Sequence, residues 1–127
     1  MIELTDGIAG ACSGLQLADA GAEVIKIESI KGDSLRHIGP KIKGHSSLFM
    51  ALNRDKRSIA LDYHKPEGYK ILEKLLSRTD IVIEDLGTAD ADALGCTYEK
   101  FRKINSNIIH CSITPYGTSG PYKDLPA

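Results

Sequence analysis

The chain has 127 residues, 42% of them hydrophobic and 26% charged, with 16 Lys and Arg against 17 Asp and Glu and a formal net charge of -1. That length suits one domain, over residues 1–127, able to bury a core without metal or disulfide support. The balanced charge excludes the global basic field of a nonspecific nucleic-acid binder, and no apolar run approaches the roughly 18 residues that a membrane-spanning helix needs.

In chain order the hydrophobic pattern switches between the strand period and the helix period. Residues 2–5 form the first predicted strand, followed by the Asp6-Gly7 turn and a helix of small residues over 9–20 that stops at Gly21. "AEVIKIE" is the second strand. Residues 29–47 turn polar and carry Gly32, Gly39, Pro40 and Gly44, which predicts a loop, and one long enough to be functional or mobile. A short helix over 46–52 leads to "SIALD", the third strand. Pro66 and Glu67 suit a helix start, and Ile71, Leu72, Leu75 and Leu76 give that helix one apolar stripe to about residue 78. "DIVIED" is a fourth strand, two short helices follow over 89–94 and 98–104, and "NIIHCSITP" is the fifth strand. The end, "YGTSGPYKDLPA", is turn-rich and predicts no element of its own.

This alternation predicts an α/β fold with a mostly parallel, Rossmann-like sheet and flanking helices. No covering helix follows the last strand, so part of the sheet is expected to lie open and to favour self-association or a partner. The first residues run directly into a strand without a leader pattern, and a cytoplasmic location is the expectation.

Parallel α/β sheets bind ligands at the carboxyl ends of their strands. Those ends carry Asp6-Gly7-Ile8-Ala9-Gly10, Glu28-Ser29, Asp62-Tyr63-His64, Glu84-Asp85-Leu86-Gly87 and Thr114-Pro115-Tyr116-Gly117. Gly7, Gly10 and Gly14 lack the G-x-G spacing of a dinucleotide fingerprint, so close helix-to-sheet packing is their simpler role and an oxidoreductase is disfavoured. Glu84 and Asp85 are adjacent on a strand and should diverge, one capping or pairing with a cation and the other solvated. Cys12, Cys96 and Cys111 form no C-x-x-C pair and read as buried thiols, and the four histidines lack metal-ligand spacing. Arg54, Lys56 and Arg57 cluster before the third strand. They are either a solvated loop or a dock for a phosphorylated ligand.

Several stretches in register, "LADAGAEVIKIE", "GDSLR", "LNRDKRSIALD", "PEGYKILEKLLSRTDIVIED", "ALGCTYEKFRKINSNIIHCSIT" and "YGTSGPY", resemble the family III coenzyme A transferases, the group of formyl-CoA and carnitine-CoA transferases and related acyl-CoA racemases. The resemblance spans essentially the whole chain and implies a domain that holds coenzyme A or an acyl-CoA along strand ends, with no metal. Carried over position by position, it places CoA contacts on Ile8, Ala9, Ser29, Leu61, Asp62, Tyr63, His64, Asp85, Leu86 and Gly87. It also makes Arg54, Lys56 and Arg57 part of a rim near the phosphates. Ser29 and Ala93 stand where some members carry arginine, and each missing charge-assisted bond is worth about 1.5–3 kcal/mol. The family's nucleophilic aspartate and the racemases' His and Asp lie beyond the "GTSGPY" turn. The resemblance therefore implies an N-terminal portion, incomplete relative to the full fold, that binds CoA without the groups for acyl transfer. Its expected partners are a second copy of itself or a missing C-terminal half, and a catalytically inert, self-associating module is the alternative.

Overall fold

In the computed structural model, which describes residues 1–123 and 125, the first strand, β1 (Ile2–Leu4), turns Ile2 and Leu4 to one side of the pleat and Glu3 to the other. The helix α1 (Ile8–Asp19) packs on the Glu3 side through Gly10, Ala11, Gly14 and Leu15. A Cβ added at Gly10 would meet the Thr5 Cβ at 2.3 Å, and one at Gly14 would meet Glu3 Oε2 at 1.9 Å. These glycines let a helix approach side chains of the sheet, which is the packing role expected from their spacing.

Strand β2 (Ile25–Glu28) pairs parallel with β1. The stretch expected to be featureless loop over 29–47 is instead locally built. It holds a 3-10 turn over Ser34–Arg36 and a hairpin of β3 (Lys41–Ile42) and β4 (His45–Ser46), whose turn places Lys43 at φ 51° and Gly44 at φ 86°. Asp33 accepts the Leu35 N–H at 2.7 Å to start the 3-10 turn. Ser46 accepts the Phe49 N–H at 3.1 Å to start α2 (Ser47–Leu52). Elements of two or three residues are too short to leave a periodic signal, which is why hydrophobic patterning passes over them.

Strand β5 (Arg57–Ala60) joins β2 in parallel. Helix α3 (Pro66–Leu76) begins at Pro66 with Glu67 in its first turn and buries Gly68, Leu72 and Leu76. Strand β6 (Ile81–Glu84) returns to the other side of β1, and α4 (Thr88–Leu94), α5 (Tyr98–Ile104) and β7 (Ile109–Ser112) complete the chain's elements. The sheet order is β5-β2-β1-β6-β7 with every neighbouring pair parallel, so the chain winds outward from β1, reverses, and winds out the other way. The carboxyl ends of β1 and β6 flank that switch point, where such sheets open a crevice.

The apolar core sits on the α3 and α5 side, where Ile2, Leu4, Leu72, Val82 and Phe101 are each no more than 1% exposed. Full burial of one such side chain contributes about 1.5–3 kcal/mol. Beyond β6 this cover thins on the other face: Ile109 and Cys111 of β7 are exposed. The expectation of three buried thiols is thereby corrected. Cys96 lies in the core, Cys12 is half-buried and Cys111 is open because no helix covers its face of β7. Residues 113–123 contain only turns and bends; the rest of the expected turn-rich end, 124, 126 and 127, lies outside the described residues apart from Leu125.

Candidate functional site

A cleft of about 430 Å³ opens over the carboxyl ends of the central strands. Leu4, Ile27, Leu86 and Leu94 give it apolar walls, Tyr63 and His64 stand on one side, and Asp6, Ser29, Gly32 and Asp33 close the other. The Tyr63 and His64 rings stack with centroids 5.1 Å apart and planes 17° apart. Burial, with Cys96 and the carboxylates nearby adding to it, pushes the Tyr63 hydroxyl up to about 12, so Tyr63 presents a neutral hydroxyl there.

The far wall is held by carboxylates. Asp6 accepts the Ser34 N–H at 2.7 Å and Glu28 accepts the Asp33 N–H at 3.0 Å, which ties the loop after β2 to two strand ends. Arg36 forks onto Glu28 at 2.6 and 2.7 Å and lies 3.8 Å above the Phe49 ring. Burial alone would raise the Glu28 carboxyl. The bonds from Arg36, Ser58 and the Asp33 N–H outweigh it and hold the group at about 2.

Behind that wall lies a buried ionic cluster on the α1 face. Lys26 bridges Glu3 at 2.8 Å and Asp33 at 2.7 Å, and Lys56 reaches the second Glu3 oxygen at 2.8 Å and the Ala11 carbonyl at 2.7 Å. All four side chains are at most 2% exposed. Burial works against the Lys26 charge, but Glu3 and Asp33 overcome it and raise its pKa; at Lys56 burial prevails over Glu3 and lowers it.

Several residues carried over by resemblance converge here: Ser29, Tyr63, His64 and Leu86 line the cleft. Ile8 and Ala9 stand exposed at the start of α1, which follows the carboxyl end of β1, but do not line the cleft. Asp85 accepts the Asp6 N–H at 2.9 Å, and burial raises its pKa despite that bond. Gly87 precedes α4, while Leu61 belongs to the core and Asp62 bridges Lys65 at 3.1 Å. None of these last four lines the cleft.

The basic stretch does something else. Arg57 is the first residue of β5, at the amino end of the sheet, and the trio is spent within the chain. Arg54 pairs with Asp19, Lys56 with Glu3 and Arg57 with Glu23 at 2.8 Å. These pairings lend no support to a phosphate rim on Arg54, Lys56 and Arg57: Arg54 and Arg57 lie at the amino end of the sheet, away from the cleft, and the Lys56 ammonium is buried against Glu3. Glu84 and Asp85 diverge as the strand pleat requires, but neither is simply solvated. Glu84 is buried, accepts the Leu86 N–H at 2.9 Å and faces His110 at 3.3 Å. Burial opposes the Glu84 charge, yet His110, Ser112 and the Leu86 N–H lower its pKa. Burial pushes the Cys96 thiol up to about 12, which removes it as a nucleophile at neutral pH. Sequence reasoning missed Gly32, Asp33, Asp90 and Leu94 as lining residues; the length of the 29–47 segment was the one signal that pointed toward the first two.

The model of CoA-transferase family III matches residues 1–127. The chain belongs to CoA-transferase family III. Among family III relatives, it is 39% identical to the human succinyl-CoA:glutarate CoA-transferase over 123 residues, 95% of this chain and 28% of that enzyme. It is also 39% identical to the succinate–glutarate CoA-transferase of Agrobacterium fabrum over 133 aligned positions, 98% of this chain and 33% of the relative. The crystal structure of a CAIB/BAIF family protein from Brucella suis superposes with a TM-score of 0.91 at 40% identity, covering 98% of this chain and 34% of that one. A Mycobacterium tuberculosis structure gives 0.91 at 31% identity, with 99% and 35% covered. The chain thus spans about a third of the length of the family III proteins it matches. Among the described residues no group of three or more His, Cys, Asp and Glu is arranged to hold a metal, and no helix is long and apolar enough to cross a membrane.

Proposed function

We propose that this chain is the CoA-thioester-binding N-terminal portion of a family III CoA-transferase, and that acyl transfer draws its nucleophilic aspartate from residues outside this segment. The observation that carries the reading is the convergence of Ser29, Tyr63, His64 and Leu86, residues far apart in sequence, on one cleft at the switch point of a parallel sheet. The cleft's chemistry supports binding more than catalysis. Its Asp6, Glu28 and Asp33 carboxylates are engaged with backbone N–H groups and cations, and the described thiol in the core is held neutral.

The test is a thermal titration with CoA and acetyl-CoA. A ligand that binds only the folded chain raises the unfolding midpoint in proportion to the logarithm of its concentration. No shift at millimolar ligand would overturn the binding reading, and acyl exchange catalysed by the 127 residues alone would overturn the assignment of the nucleophile.

A second reading rests on a separate observation. The sheet ends in two edge strands, β5 and β7, and β7 leaves Ile109 and Cys111 exposed. A chain of this kind pairs with a second copy or with a separate C-terminal half, in the cytoplasm, with or without CoA bound. Sedimentation at micromolar concentration is expected to show oligomers. A monodisperse monomer would remove self-association and leave the binding reading untouched.

A further inference from the structure

The cleft at the switch point has an electrostatic character that a polyphosphate ligand does not match. None of its lining residues is Lys or Arg; Asp6 and Asp90 line it, and Glu28 and Asp33 line it already paired with Arg36 and Lys26. On the approach to α1, the Asp85 carboxylate accepts the Asp6 N–H. Ser29 and Ala93, which also line it, carry no charge.

A second groove, of about 560 Å³, continues from the first and shares Tyr63, His64, Ala93 and Leu94 with it. Here the balance reverses: Lys65, Lys70 and Lys100 line it against the carboxylates of Glu73 and Asp92. Lys65 extends from the start of α3 and reaches Asp62 at 3.1 Å, an exposed contact that a phosphate can replace. Among the described residues, Lys70 and Lys100 form no ion pair within 4.0 Å. The three lysines come from both walls, two from the start and body of α3 and one from α5, so an anion between them is contacted from two sides.

We propose that the phosphates of the CoA thioester are held in this second groove by Lys65, Lys70 and Lys100, while an uncharged part of the ligand fills the acid-lined cleft and the Tyr63–His64 pair marks the boundary between them. This rests on the CoA-binding reading above. It assigns the phosphate-facing charge to the three lysines that line this groove. Lysine suits the task because its ammonium group acts as a mobile point charge on an exposed stem, without the fixed fork geometry of arginine.

The experiment compares the chain with a Lys65→Gln, Lys70→Gln, Lys100→Gln variant and with the matching triple Arg variant. CoA and pantetheine, which has the same arm without phosphates, serve as the two probes, each measured by calorimetry at low and high salt. All three side chains are exposed, and matched circular dichroism and unfolding midpoints check that the variants fold. The expected result is at least a tenfold loss of CoA affinity in the Gln variant at low salt, a shallower salt dependence, unchanged pantetheine binding and recovery in the Arg variant. Unchanged CoA affinity in the folded Gln variant would overturn the phosphate assignment while leaving CoA binding standing. Absence of CoA binding by the unmodified chain would overturn both. Should the Gln variant fail to fold, the unmodified chain alone decides: CoA binding as insensitive to salt as pantetheine binding overturns the assignment.

Discussion

Strands β1, β2 and β6 at the centre of the sheet are buried on both faces, and the two faces are buried by different physics. On the α3 and α5 side, Ile2, Leu4, Val82, Leu72 and Phe101 remove apolar surface from water, and each atom lost costs in proportion to its area and the cavity left behind. On the α1 side, Glu3, Lys26, Asp33 and Lys56 sit at most 2% exposed and are tolerated only because each charge has a partner. The first kind of burial is graded. The second approaches all-or-none, since removal of one member leaves its partners charged and dry. The apolar face holds the strands and helices together, whereas the ionic face decides where α1 and the 29–37 loop sit, and so shapes the wall of the cleft.

Glu3→Ala should expose that contrast most sharply. It leaves Lys26 with Asp33 alone and Lys56 with no acid within reach of the Glu3 position, and a loss of about 3–5 kcal/mol in chemical denaturation is expected. A loss below 1 kcal/mol would show that the cluster is not the all-or-none device described. Leu72→Ala, on the apolar side, should cost about 2–4 kcal/mol, and Leu72→Met under about 1.5 kcal/mol, which tests the graded behaviour directly.

Acid separates the faces again. Glu28 is depressed from its ordinary 4.5 to about 2, so its share of stability is fully present above about 4.5 and is lost as pH falls through about 2. Allowing for solvent screening at the half-exposed Arg36, that share is of the order of 2 kcal/mol. Unfolding curves of the chain and of Glu28→Gln should therefore converge between pH 4.5 and pH 2; a constant gap across that window would contradict the assignment. The smallest effect belongs to Arg54→Ala. Its exposed pair with Asp19 is worth about 0–1 kcal/mol, and CoA affinity should not change, because Arg54 lies at the end of the sheet opposite the cleft.

Most of the fold is readable in the primary structure because its elements follow simple periods. The five strands of the main sheet, the apolar stripe of α3 and its Pro66 start all fall within three residues of where patterning puts them. The candidate site is readable in part. Its strand-end residues Ser29, Tyr63, His64 and Leu86 are marked by position alone, since parallel strands all end on one side. Asp33 and Asp90 are not, because nothing local distinguishes an acid that closes a cleft from one that faces water. The basic trio shows the converse: a cation cluster in front of a strand is visible in one dimension, but the acids that await it, at residues 19, 3 and 23, are not.

The amino-acid order by itself determined the number, kind and sequence of the main-sheet strands and their helices, because backbone periodicity and turn chemistry act over a few neighbouring residues. Only the tertiary structure decided that Glu3, Lys26 and Lys56 are interior rather than solvated, and that Lys65, Lys70 and Lys100 share one groove. Charge interactions in a folded chain depend on distance and local dielectric, and both are set by strands and helices that meet only once the sheet has formed.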